Sequence, residues 1–222
     1  MSKILFGIFG TGGFGREVMP MARTYISQRY SHLSAKDVEV VFVETEPTLE
    51  VVNNVRVLSE FDFVNAPTKD KFFNIAIGSS VVRDNVAKRL ASAGCQPFSA
   101  IANSAIIYDE NEIGIGATIC DNVMITSNAV IGCYFQANIY SYVAHDCVIG
   151  DYVTFAPRVS CNGNVVVEDY AYIGTGAVLK QGSQSKPLVI GKGATVGMGA
   201  VVTKDVPPNT VVIGHPAKPM SN

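Results

Sequence analysis

The chain has no C-x-x-C pair, no marked excess of either charge, and no apolar run approaching the roughly 20 residues that a spanning helix needs. Each shortage excludes something. Its five cysteines, Cys95, Cys120, Cys133, Cys147 and Cys161, are odd in number, which argues against a disulfide framework. A net charge of only −2 offers no broad attraction to nucleic acid or to an anionic membrane, so neither is expected as a partner. Met1-Ser2-Lys3-Ile4 leads straight into an apolar strand rather than a signal sequence, so a cytoplasmic location is expected. No metal site is expected either. What remains is small-molecule work by a chain of 222 residues, 48% hydrophobic, long enough for one domain or two small ones.

The most informative feature present is a six-residue period. From Ile101, steps of six reach Ile107, Ile113, Ile119, Ile125, Ile131, Ala137, Val143, Ile149, Phe155, Cys161, Val167, Ile173 and Leu179 without a slip. The fifth place of each hexad is usually small, as at Ala105, Ala117, Ala129, Ser141, Cys147, Ala171 and Ala177, with Asn111 and Phe135 as exceptions. Five inserted residues, Ser185 to Val189, break the frame, which resumes at Ile190, Val196 and Val202 with Ala194, Ala200 and Val206 as small partners. Such a period fits neither a helix nor a two-residue strand alternation. It fits a coil with one hexad per flat face and three faces per turn, first place inward, fifth near a corner. Fourteen hexads plus three give between five and six turns of a parallel β-helix. Cys147 and Cys161 fall on inward places and read as small buried hydrophobes.

The first hundred residues follow another rule. Lys3 to Phe9 reads as a buried strand, Gly10-Thr11-Gly12-Gly13-Phe14-Gly15 as a glycine loop, and Arg16 to Arg29 as a helix. The glycines match G-x-G-x-x-G between strand and helix, where backbone N–H groups can face an anion. A second strand, Val38 to Val43, ends at Glu44, and a third, Phe72 to Ile77, ends at Gly78-Ser79-Ser80 before a helix carrying Arg83. This β-α-β order predicts a small, mostly parallel sheet with ligands at the carboxyl ends of its strands. Expected domains are 1–100 and 101–222.

In the repeat, His145 stands third in its hexad, an outward phase, with Asp146 beside it. Histidine is the side chain whose ordinary titration lies nearest working pH, and a neighbouring carboxylate can fix its tautomer. The same residue could equally be solvated, or pack on a neighbouring subunit. His32 and His215 have no acidic neighbour and read as structural or exposed.

The hexads, the segment Ala144-His145-Asp146-Cys147-Val148-Ile149-Gly150 and the ending Ile213-Gly214-His215-Pro216-Ala217-Lys218 resemble the hexapeptide-repeat acyltransferases. Within them they look like the branch of bacillosamine and perosamine N-acetyltransferases and sialic acid O-acetyltransferase relatives. The resemblance implies the fold: an α/β N-terminal lobe with a small Rossmann-like parallel sheet, followed by a left-handed parallel β-helix. Handedness comes from the resemblance, since crossovers between parallel strands are otherwise right-handed in about 98% of cases.

It further implies an acetyl-CoA-dependent N-acetyltransferase acting on a nucleotide-linked 4-amino-4,6-dideoxyhexose. His145 would be the general base, Asp146 its partner, no metal would be used, and homotrimers would form sites between subunits. Gly163, Thr175, Met198 and Gly199 would meet coenzyme A, with Lys180, Lys192 and Lys204 free to reach its phosphates. The lobe would hold the nucleotide through Gly10, Gly12, Gly13, Phe14, Glu44, Thr45, Gly78, Ser79 and Arg83. Two departures stand out: Thr154 occupies the place of a second histidine, and Glu44-Thr45 that of an aspartate pair. Rival readings are O-acetylation of a sugar hydroxyl and a non-catalytic sugar-nucleotide-binding protein.

Overall fold

The computed structural model describes residues 4–32, 34, 37–68 and 70–220. It divides into two compact units, at Ala102 and Asn103.

In the first unit, β1 (Ile4–Phe9) is followed by α1 (Gly13–Arg29), β2 (Val38–Glu44), β3 (Val51–Val52), β4 (Val55–Ser59), α2 (Glu60–Asn65), β5 (Asp70–Ile75), α3 (Ser80–Ser92) and β6 (Gln96–Pro97). The sheet order is β3-β4-β2-β1-β5-β6, parallel except for the β3–β4 hairpin. The chain leaves β1 toward β2 on one side and returns to β5 on the other, so the order reverses between β1 and β5. That is where open α/β sheets place ligands. Lys3, expected in the first strand, lies outside the described residues.

The hairpin was not expected. Its turn is Asn53-Asn54, with φ of 47° and 61°, the left-handed pair that a two-residue hairpin turn requires. The helix expected from Arg16 begins at Gly13. Gly15 explains the tight strand-to-helix passage: a Cβ there would lie 1.9 Å from the Gly10 carbonyl oxygen, so only glycine lets α1 start against the end of β1. The lobe's core is aromatic, with Phe6 stacked on Phe72 at 5.0 Å and Phe9 edge-on to Phe63 at 5.6 Å.

The second unit is the three-sided coil, left-handed and parallel. On one face Ile106–Ile107, Met124–Ile125, Tyr142–Val143, Ser160–Cys161, Val178–Leu179 and Val201–Val202 pair in that order. Partners such as Met124 and Tyr142 are 18 residues apart, three hexads per turn. The inward residues Ile119, Ile125, Val143, Phe155, Cys161, Ile173 and Leu179 are fully buried. Phe135 is fully buried too, edge-on to Phe155 at 5.2 Å. It follows that the large fifth-place ring compensates for the small first-place Ala137. Asn111, the other exception, satisfies its carboxamide by accepting from the Ala129 N–H at 2.9 Å and donating to the Tyr108 and Thr126 carbonyls.

Corners turn through the fourth place of the hexad. Glu110, Gly116, Asn122, Asn128, Tyr134, Tyr140, Asp146, Tyr152, Arg158, Asn164, Tyr170 and Gly176 all have φ between 55° and 73°. Left-handed backbone costs roughly 1–2 kcal/mol for an ordinary residue, less for Gly, Asn and Asp. At one corner tyrosines offset it by stacking: Tyr134 on Tyr152 at 5.0 Å and Tyr152 on Tyr170 at 5.4 Å, with the rings nearly parallel. Lys192 Nζ caps the ladder 5.3 Å above Tyr170 and lies 3.6 Å from Asp169.

Two frame shifts correct the expected register. Val165 pairs with Leu188, 23 residues on instead of 18, so the insertion is real. Its bulge, however, occupies 181–187, closed by reciprocal backbone bonds between Ser183 and Lys186, and Val189 lies in a strand. The break falls earlier because Leu188-Val189-Ile190 continues the apolar face. Val206 bridges to Ile190, 16 residues back, so it takes an inward first place and not the small fifth place expected. Lys218–Pro219 then folds antiparallel onto Val212–Ile213 and closes the open edge.

Candidate active site

One corner of the prism carries, coil by coil, Ser127, His145, Gly163, Gln181 and Lys204. The strand Tyr142–Val143 ends just before His145, whose outward third place leaves its side chain 49% exposed. Its backbone carbonyl accepts from Asn164 N–H at 3.0 Å, and Asp146 N–H donates to the Ser127 carbonyl at 3.1 Å. Asp146, in the left-handed corner conformation, turns its Oδ2 to within 2.7 Å of His145 Nδ1. With Nδ1–H held by that carboxylate, Nε2 is left as the acceptor, the tautomer a general base needs.

The ring leans over Gly163 on the next coil. A Cβ on Gly163 would lie 2.5 Å from both Cε1 and Nε2, so the imidazole occupies the space that a side chain would fill. No acceptor takes the Gly163 N–H among the described residues, which leaves an amide donor beside Nε2.

Beside this pair lies a cleft of about 610 Å³, lined by Asp146, Val148, Asn164, Val166, Gln181, Gly182, Ser183, Gln184 and Pro187. Sequence reasoning missed Asn164, Gln181 and Gln184. The first two could have been found by adding one turn at a time to Asp146 and His145. A second cleft of about 270 Å³ shares Gln181, Gly182 and Pro187 and includes the expected Lys180 and Lys204. Lys192 is engaged in the tyrosine ladder instead.

Thr175, Met198 and Gly199 follow a different face, with Gly199 N–H donating to the Thr175 carbonyl at 2.8 Å and Met198 81% exposed. Within one chain they are a corner away from His145. Thr154 also lies on another face, paired in register with Gln136. Cys147 and Cys161 are fully buried with sulfurs 3.8 Å apart. Donating its S–H to Cys147 and being completely buried push the Cys161 thiol well above its usual range.

In the first unit, Gly10 and Glu44 border a crevice of about 370 Å³ with Phe9, Val43, Thr45 and Ile77 at the switch point. Glu44 also borders a crevice of about 250 Å³ with Thr11, Glu46 and Thr48. Its Oε1 accepts from the Thr11 backbone N–H at 2.7 Å and hydroxyl at 2.6 Å, which fixes the carboxylate against the glycine loop. Gly12 caps α1 without a side-chain bond and Gly13 is exposed, so the first N–H groups of the helix stay available to an anion. Phe14 is half-buried, Gly78 is exposed, and Ser79 caps α3 by accepting from Val82 N–H. Arg83 is only 1% exposed and donates to the Ile77 and Gly78 carbonyls at 2.8 and 3.3 Å, so its guanidinium braces the loop from within.

Among the described residues there is no group of three or more His, Cys, Asp or Glu side chains that could hold a metal, and no helix long and apolar enough to cross a membrane.

A left-handed hexapeptide prism with an outward histidine–aspartate pair above a glycine, joined to a small α/β lobe, defines the acyltransferase class. No family model matches the chain. It is 48% identical over 97% of its length, and 96% of the relative's, to a GDP-perosamine N-acetyltransferase from Escherichia coli O157:H7. It superposes on WeeI from Acinetobacter baumannii AYE with a TM-score of 0.91 and 49% identity, covering 98% and 100% of the two chains. PerB from Caulobacter crescentus, solved with CoA and GDP-perosamine, gives a TM-score of 0.84 at 25% identity, with 97% of each chain covered. The chain belongs to the hexapeptide-repeat sugar N-acetyltransferase family.

Proposed function

We propose that the protein transfers the acetyl group of acetyl-CoA to the amino group of a nucleotide-linked 4-amino-4,6-dideoxyhexose, working as a cytoplasmic homotrimer. The observation that carries this reading is the 2.7 Å contact between His145 Nδ1 and Asp146 Oδ2, with the ring set over Gly163. The near-full-length likeness to a GDP-perosamine N-acetyltransferase supports the substrate class. The neutral sugar amine attacks the thioester carbonyl carbon while His145 Nε2 takes its proton. The C–S bond then breaks, and the departing sulfur leaves as the thiol once that proton is passed on. The free N–H of Gly163 supplies a donor for the oxyanion, the part a second histidine would otherwise play at Thr154.

The first unit would hold the nucleotide: glycine loop to the diphosphate, Glu44, Thr45 and Ser79 to ribose and base. Thr175, Met198 and Gly199 stand a corner away from His145, so a neighbouring copy must bring them to the thioester. Closed three-fold symmetry fits that need.

Thiol release from acetyl-CoA, followed with GDP-, UDP- and dTDP-linked 4-amino-4,6-dideoxyhexoses, tests the reading. Release with at least one acceptor is expected, and a mass gain of one acetyl on the sugar nitrogen. Absence of release with all three, or acetyl found on a hydroxyl, refutes it.

A further inference from the structure

Arg158 is a cation at a place that suits few side chains. It takes the fourth place of its hexad with φ of 61°, a left-handed backbone that favours glycine, asparagine and aspartate. The two coils above it on the same corner carry Gly176 and Gly199 there. Stacked tyrosines offset that conformation at another corner, but Arg158 has no such ladder. Its guanidinium lies exposed, 5.9 Å over the ring of Tyr140 one coil below. The ring orients the charge without neutralising it, and no acidic side chain pairs with it among the described residues. A costly residue kept at an exposed corner points to a ligand.

Height along the prism says which ligand. Backbone bonds link this corner coil to coil, Arg158 N–H to the Ile139 carbonyl at 3.0 Å and Gly176 N–H to the Pro157 carbonyl at 2.9 Å, and the same corner carries Thr175 and Met198. A coil takes 18 residues and rises about 4.8 Å. Tyr140 therefore stands about 1 Å below the level of His145 and Arg158 about 3.5 Å above it, whereas Thr175 is about 8 Å above. Copies in a closed ring of three whose axis runs along the prisms share one height. A neighbour that turns Thr175 toward the thioester thus brings Arg158 and Tyr140 level with His145.

The acceptor's charge needs such a group. A nucleotide sugar carries a diphosphate, yet the two crevices of the first unit offer it no free cation in their linings. Their one lining cation, Arg89, is held by Glu60 through two bonds of 2.8 Å, and Glu44 and Glu46 add carboxylates. A guanidinium matches two phosphate oxygens at once. Coenzyme A also carries a diphosphate, but its pantetheine arm, with the covalent length of about four residues, keeps that group far from His145. Only a sugar ring separates the acceptor's phosphates from its amine.

We infer that Arg158 of a neighbouring copy binds the diphosphate of the acceptor and so positions its amine at His145. The inference deepens the proposed acetyl transfer and rests on it.

R158G, R158N and R158K test this, since glycine and asparagine suit the corner and a thermal melt of each checks folding. GDP- and UDP-linked 4-amino-4,6-dideoxyhexoses are titrated calorimetrically without an acetyl donor. Acceptor affinity should fall about tenfold in R158G and R158N, the loss of one charge-assisted contact. It should stay within about threefold of wild type in R158K, and coenzyme A affinity should be unchanged in all three. Co-expression of H145A chains with R158G chains then tests where the group comes from. Each mixed ring has one interface at which an intact His145 meets an intact Arg158, so acceptor kcat/KM per chain should exceed that of R158G alone. Were both residues to serve within one copy, it would fall below. Wild-type acceptor affinity in R158G and R158N, an equal loss of coenzyme A affinity, or no gain on mixing would overturn the assignment. Absence of acetyl transfer by the wild type, with acceptor affinity still lost in R158G, would instead count against the proposed reaction alone.

Discussion

Replacing Gly163 by alanine adds one methyl group at the one place where the imidazole of His145 leans. The backbone there needs no positive φ, so alanine is tolerated conformationally. Stability should change by less than about 1 kcal/mol, with a gain of a few tenths possible from the stiffer unfolded chain. The site fares differently. The new Cβ would stand 2.5 Å from Cε1 and Nε2 and 3.0 Å from Nδ1, against the ordinary 3.4–4 Å. The ring must therefore retreat by about 1 Å, enough to misalign the 2.7 Å bond to Asp146 and withdraw Nε2 from the acceptor. A displacement of that size at a reacting group costs about 10²-fold in rate, close to the 10² to 10⁴ expected for losing the base altogether. Steady-state acetyl transfer by G163A beside H145A, with a thermal melt of each, checks this. A G163A enzyme that folds normally and retains wild-type kcat/KM would refute the reasoning, since the ring would then not depend on the empty place above it.

Three further outcomes follow from the packing. Gly15→Ala puts a Cβ 1.9 Å from the Gly10 carbonyl oxygen, backbone against backbone, so α1 must shift. Stability of the first unit should fall by about 3 kcal/mol, the upper end of the usual cost of overpacking, with loss of sugar-nucleotide binding by calorimetry. Tyr152→Ala removes the middle ring of the tyrosine ladder, stacked at 5.0 and 5.4 Å on its neighbours. It should cost about 3 kcal/mol and lower the melting temperature by roughly 6–12 °C. In the folded protein at neutral pH, iodoacetamide should spare the buried Cys147 and Cys161 and label Cys133, the one partly exposed cysteine. Mass mapping of the alkylated peptides decides it.

The prism was legible because each hexad repeats one physical demand, an inward apolar group, often enough to fix the frame from Ile101 to Leu179. The irregular parts were not. A five-residue insertion can be placed anywhere between Leu179 and Ile190 by counting, and only strand pairing puts the bulge at 181–187. Val206 fits the fifth place by arithmetic but takes the first, because the last turn is two residues short. The left-handed corners left a trace in the Asn, Gly and Asp of the fourth place, masked by Tyr134, Tyr152 and Tyr170, which tolerate that backbone by stacking. His145 was visible by phase, whereas its seat over Gly163 depends on two residues 18 apart in sequence. Arg83 reads as a ligand group from position alone, and burial gives it a bracing role.

The most direct test is the position of the acceptor nitrogen. In a crystal of the protein with coenzyme A and the 4-amino sugar nucleotide, that nitrogen should lie within hydrogen-bond reach of His145 Nε2, about 2.6–3.2 Å, with the sulfur beside Gly163. An acceptor nitrogen seated against some other base, with the His145 ring facing only solvent, would contradict the account.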